Sequence, residues 1–156
     1  MPFYQKRGKI PQKRHIQYRD DNKNLYWEEL ISRQGFSHMY SNVYHISPPT
    51  AITEIGKPIK NKIIIRNKIN RHYHLKTATL RSNGDAISSR APLFFNQDIA
   101  ISKCHIDYTM EYLFKNACAD EILFIKSGKG TLRSNFGSLD LSFGDYIIIP
   151  RGVIWM

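Results

Sequence analysis

His72 and His74 are spaced as H-x-H, which on a β-strand would set two imidazoles on one face, where they could grip a metal ion. No third ligand stands out, and with Arg71 and Lys76 as flanks the pair reads more plainly as a polar sheet face. Glu28 and Glu29 are adjacent, so on a helix they point in different directions and do not form an acid–base pair. Cys118 lies close to Glu121, but one soft and one hard ligand make no metal site, and a buried structural thiol is the simpler expectation. Met39, Tyr40 and Tyr44 read as packing rather than as a stack for a substrate ring.

The elements that would position these groups are mostly strands. Residues 1–24 are polar and basic, with Pro2 and Pro11, and suit an extended arm. One short helix is expected from Leu25, with Asn24 as its cap, Trp27, Leu30, Ile31 and Gln34 at helical spacing, and Gly35 ending it. Beyond it, runs rich in Ile, Tyr, Thr and Phe at 61–66, 72–81, 98–106, 109–115, 121–126, 129–134, 138–143 and 145–149 read as short strands. Asn83-Gly84-Asp85, Ser127-Gly128-Lys129-Gly130 and Asn135-Phe136-Gly137 supply turns between them. The clearest alternation places Leu139, Leu141 and Phe143 inward and Ser138, Asp140 and Ser142 outward. Many short strands in close succession predict a mainly β, antiparallel double-sheet fold.

Two segments carry more specific information. Glu121-Ile-Leu-Phe-Ile-Lys-Ser-Gly128 has the form E-x6-G, and Gly144-Asp145-Tyr-Ile-Ile-Ile-Pro150-Arg-Gly152 the form G-D-x4-P-x-G. Glycine and proline would turn the corners of a small jelly roll whose interior the apolar runs line. Together the segments resemble the two motifs of the cupin superfamily. In its metal-binding members a His-x-His precedes the glutamate and a histidine follows the last glycine, a set suited to Fe, Mn or Zn. Here those positions fall on Phe114 and Asn116, or on Lys115 and Ala117 with the shorter spacing, and on Trp155. Glu121 alone cannot hold a catalytic divalent ion, so a metal-free barrel is expected.

Over most of its length the chain is also similar to bacterial homogentisate 1,2-dioxygenases. The carriers are Met1-Pro-Phe-Tyr-Gln-Lys-Arg-Gly8, Pro11-Gln-Lys-Arg-His15, Tyr26-Trp-Glu-Glu29, Gly35-Phe-Ser-His-Met-Tyr-Ser-Asn42 with Tyr44-His45, and Asp120-Glu121 through Pro150-Arg-Gly152. The resemblance implies an enzyme that uses non-haem Fe(II) and O2 to open the ring of homogentisate to maleylacetoacetate in tyrosine and phenylalanine breakdown. It also implies that the two-His, one-carboxylate iron triad lies in a C-terminal half, while the N-terminal half is a degenerate cupin for folding and assembly. No catalytic, cofactor or metal residue is therefore carried onto this chain, and Fe(II), homogentisate and O2 are expected only in the full-length enzyme. His38 and His45, within the best-matching block, read as hydrogen-bonded loop histidines, with a subunit contact or the approach to the iron pocket as the functional alternative.

The expected organisation is thus a basic arm and short helix over 1–35 and a degenerate, metal-free cupin domain over 36–156, truncated after the second motif. The chain of 156 residues has a net charge of +10, and six cations, from Lys6 to Arg19, precede its first acid, Asp20. Interleaved with Phe3, Tyr4, Tyr18 and Tyr26, they keep a single-strand nucleic-acid binder as one alternative, although a solvated or subunit-contacting arm is the plainer reading. A non-catalytic cupin module for a small ligand is the other. No apolar run reaches membrane-spanning length, and Cys104 and Cys118 form no CxxC pair, which points to a cytoplasmic protein; the family resemblance further implies a homo-oligomer, with the arm as a natural element for subunit contacts.

Overall fold

The computed structural model describes residues 17–32, 34–38, 40–59, 72–80 and 83–156. Most of the arm (1–16), Met39 and the run 61–66 lie outside the described residues. Among those described there is no α-helix and ten β-strands are present, so the mainly β expectation holds. The chain forms two compact units, one of residues 1–55 with 114–155 and the other of residues 56–113.

In the first unit β1 (Trp27–Ser32) pairs antiparallel with β2 (Tyr40–His45), in register from Trp27↔His45 to Ser32↔Tyr40. The short helix is therefore corrected to a strand. Its apolar spacing suited a helix, but Tyr40, Val43 and Tyr44 supply a ready β partner, and this pairing decides the conformation. Gly35 ends no helix; at φ +59° it helps turn the loop, where Ser32 Oγ donates to Gly35 O at 2.6 Å. Asn24 likewise caps no helix but closes a turn, its N–H and side-chain amide both reaching the Asp20 carboxylate.

The rest of this unit is built from β5 (Phe114–Lys115), β6 (Glu121–Phe124), β7 (Lys129–Ser134), β8 (Gly137–Ser142), β9 (Tyr146–Ile149) and β10 (Ile154–Trp155). One sheet has the order β5-β10-β7-β8, and β6 pairs with β9 in a separate ribbon. Leu132, Ile147, Ile149, Val153 and Trp155 are its buried apolar side chains. The alternation along β8 is present: Leu139 and Leu141 stand opposite Leu132 and Gly130, and Thr131 Oγ1 donates to Asp140 on the other face. The apolar set is nevertheless not buried as expected. Leu139 is 43% and Phe143 73% exposed, because no other layer of the described chain covers them fully.

The second unit carries the hairpin of β3 (Ala91–Phe95) and β4 (Ala100–Lys103). Asn96 Oδ1 accepts the N–H groups of Asp98 and Ile99 and so sets the turn. Pro92 is accommodated in this two-stranded ribbon beside a register shift between Pro92 and Phe94. Residues 72–77, expected as a strand, have no regular structure and are mostly exposed. The tightest packing lies at Gly84, where a Cβ would come within 2.5 Å of Ser88 Oγ and 2.9 Å of the Ser89 nitrogen. Gly84→Ala is expected to cost about 1–3 kcal/mol through overpacking. Amide exchange at Ile87–Arg90 should accelerate accordingly, and an unchanged exchange profile would show that the loop can yield.

Candidate functional site

The two motif segments meet strand against strand. Glu121 to Phe124 of the first pairs with Ile149 to Tyr146 of the second, and Phe114–Lys115 just before the first pairs with Trp155–Ile154 just after the second. Backbone bonds close the corners, with Gly152 N donating to Asn116 O at 2.7 Å and Gly144 N to Ile125 O at 2.8 Å. Arg151 N adds a bond to Asp120 Oδ1 at 2.9 Å, so the Pro150-Arg151-Gly152 corner rests on the turn that follows Asn116.

The four sequence-marked positions come together as two pairs, one by this register and one through the turn between β5 and β6. Phe114 and Trp155 are cross-strand partners with ring centroids 5.7 Å apart in an edge-to-face arrangement, and Trp155 is 3% exposed. Asn116 Nδ2 donates to Glu121 Oε1 at 3.2 Å. Its Oδ1 meanwhile accepts the N–H groups of Cys118 and Ala119, both at 3.0 Å. Asn116 thus holds a turn and orients Glu121, while Phe114 and Trp155 fill a core. These residues do not fit a metal: two offer only hydrocarbon and an indole N–H donor, the asparagine is committed to the turn, and one carboxylate remains. Cys118 is exposed rather than the buried thiol expected from the sequence.

The remaining candidates scatter. His72 and His74 lie exposed on irregular chain, so the strand that would have aligned them is not formed. His38 is exposed in the β1–β2 loop. His45 Nε2 lies 2.7 Å from Glu29 Oε2 across the hairpin, a local polar pair that fits the hydrogen-bonded reading, although His45 sits on a strand and not in a loop. Glu28 and Glu29, as neighbours on a strand, point to opposite faces. Tyr44 packs on Tyr18 with centroids 4.4 Å apart, and Tyr40 is exposed. Among the described residues no group of three or more His, Cys, Asp or Glu is placed to hold a metal ion.

Sequence reasoning missed one cluster in the second unit. Asp85, 4% exposed, accepts the N–H groups of Ile87 and Ser88 at 2.8 Å and the Tyr112 hydroxyl at 3.2 Å. The Ser88 backbone bond, with smaller contributions from the other donors, holds the Asp85 carboxyl below its ordinary range despite burial. Ser89, fully buried, donates its hydroxyl to Asp85 O at 2.7 Å. The Cys104 thiol lies 2.8 Å from Ser89 Oγ. The signal available was Gly84-Asp85 followed by Ser88-Ser89, an aspartate with donors two and three residues on. The cluster ties the turn to Cys104, directly after β4, and to Tyr112, a structural task.

Against known proteins, the chain is 38% identical over 157 residues to a protein of Saccharolobus solfataricus that is provisionally named a dioxygenase. The match takes in 99% of this chain but 41% of that protein, so the chain spans less than half the length of this curated relative. No protein-family model matches the chain. No solved structure matches it significantly.

Proposed function

We propose that this chain is the metal-free N-terminal part of a ring-cleaving dioxygenase of the homogentisate 1,2-dioxygenase type. In this reading residues 36–156 form a degenerate cupin domain, and the iron, with homogentisate and O2, is held by another part of a longer, oligomeric polypeptide. The observation that carries it is the register between the two motif segments. It sets Phe114 against Trp155, and the adjoining turn sets Asn116 against Glu121, at the positions where a metal-binding cupin would gather its ligands. A barrel freed from catalysis can spend these positions on packing and turn closure, and aromatic and amide side chains serve that end. The 38% identity to a relative provisionally named a dioxygenase supports the same direction.

What this chain contributes is scaffold. Corner bonds such as Gly152 N to Asn116 O and Arg151 N to Asp120 fix one end of the strand pairs, and rigid elements of this kind are what a neighbouring active site needs for support. The test is anaerobic Fe(II) titration of the purified chain, followed by homogentisate-dependent oxygen uptake. The chain should take up no stoichiometric iron and consume no oxygen, whereas the longer polypeptide should do both. One tight iron with turnover in the 156-residue chain would overturn the reading.

A further inference from the structure

The β6–β9 ribbon carries apolar side chains on both faces, with Glu121 as the one charged group, opposite Ile149 on the inner face. On one face Leu123, Ile147 and Ile149 turn toward the core of their unit, Ile147 and Ile149 being 7% and 4% exposed. On the other, Ile122 stands opposite Ile148 and Phe124 opposite Tyr146, and these four are 50–72% exposed. Phe124 and Tyr146 already stack with centroids 4.7 Å apart. Short unbroken apolar runs, such as Ile122-Leu-Phe-Ile125 and Tyr146-Ile-Ile-Ile149, fit strands buried on both sides. Half of that burial is missing here.

We propose that this outer face is the seat of a further layer of the same polypeptide, contributed by sequence beyond these 156 residues. The inference rests on the reading that the chain is part of a longer dioxygenase-type protein, and it names the surface by which the parts join. The length of the matched relative favours a tethered occupant over a free second copy, and a covalently linked layer acts at an effective concentration on the order of millimolar. The matched relative, of which this chain covers 41%, has length to spare for such a layer. The occupant's own face would be β-branched and aromatic, since a sheet stacked at about 10 Å interdigitates apolar side chains.

Tyr146, at 72% exposure, reports on the face directly. The 156-residue chain and the full polypeptide encoded by its reading frame are treated with tetranitromethane, and nitration is followed site by site by peptide mass spectrometry. Tyr146 should react at least 10-fold more slowly in the longer polypeptide. Tyr108, exposed in the other unit, serves as the internal reference. Ile148→Lys should restore the rate at Tyr146 in the longer polypeptide while leaving the melting temperature of the short chain unchanged. Equal rates at Tyr146, or a reading frame with no further sequence, overturn the proposal. So does protection that appears in the short chain as its concentration rises, which would make a second copy the occupant. Nitration is independent of oxygen uptake, so a protected Tyr146 in a polypeptide that consumes no oxygen would sink the dioxygenase reading and leave the docking face standing.

Discussion

Replacing Trp155 with alanine should destabilise the first unit by about 3–5 kcal/mol, the range for removing a large aromatic from a packed core. The side chain is 3% exposed, and its strand is joined on both sides, to Phe114 of β5 and to Ser134 of β7. Truncation would therefore empty a core position, strip Phe114 of its edge-to-face partner and loosen the strand that holds two others together. Trp155→Phe should recover more than half of the loss, since a ring remains against Phe114. Tyr146→Ala removes an aromatic of similar size from the exposed face of the ribbon and, with its cross-strand contact to Phe124, should cost the isolated chain about 1 kcal/mol or less. Urea unfolding followed by far-ultraviolet circular dichroism reads all three. A loss under about 1 kcal/mol for Trp155→Ala would mean that the position is not the core post described here, and would reopen it as a degenerate ligand site.

The contrast between these two aromatics also shows what the sequence could and could not disclose. Strands β6 to β9 were legible because glycine-containing turns bracket them and their residues favour strands. β1 was not, since Trp27, Leu30 and Ile31 satisfy helical spacing and only the distant segment Tyr40–His45 makes a strand of them. β3 carries a weak strand signal, since Pro92 offers no ladder N–H, yet an edge position in a two-stranded ribbon tolerates proline. Of the strand expected at 72–81, the described residues 72–80 adopt no strand, since β propensity alone does not set the conformation. At the site, counting back from Glu121 located Phe114 and Asn116. That the first would meet Trp155 depends on cross-strand register, which no linear spacing records, while the second bonds Glu121 within the local turn between β5 and β6. Alternation told which side of β8 is apolar but not whether anything covers it, and Leu139 and Phe143 are exposed for that reason.

Acidification should open the Gly84–Arg90 turn of the second unit, and Asp85→Asn should abolish most of that pH dependence. In the folded chain the Asp85 carboxyl sits below its ordinary range, chiefly because the charged form accepts the Ser88 N–H and also those of Ile87 and the Ser88 and Tyr112 hydroxyls. A folded-state value below the unfolded one means that the stabilisation is complete above the ordinary aspartate range, about pH 4. It is then lost as pH falls through the lowered folded value. Tyr112 sets the opposite boundary: burial first, and then its bond to the Asp85 carboxylate, raise the phenol above its ordinary value. Its contribution is complete below about pH 10 and is lost as pH rises through the raised value. The turn should therefore be tightest between these limits and loosen at both ends. Asparagine can still accept from the backbone through its amide oxygen but carries no charge, so the acid limb should flatten and the Tyr112 titration should move back toward its ordinary value. Site-resolved amide exchange of Ile87 and Ser88, corrected for the intrinsic pH dependence of exchange, measures the acid limb, and ultraviolet titration of Asp85→Asn against the parent measures the alkaline one. Asp20, the other carboxyl held low in the structure, belongs to the first unit and reports at its own amides. If Asp85→Asn kept the parent's acid loosening at Ile87 and Ser88, another group would have to govern the turn, and the carboxylate would be a bystander in the cluster.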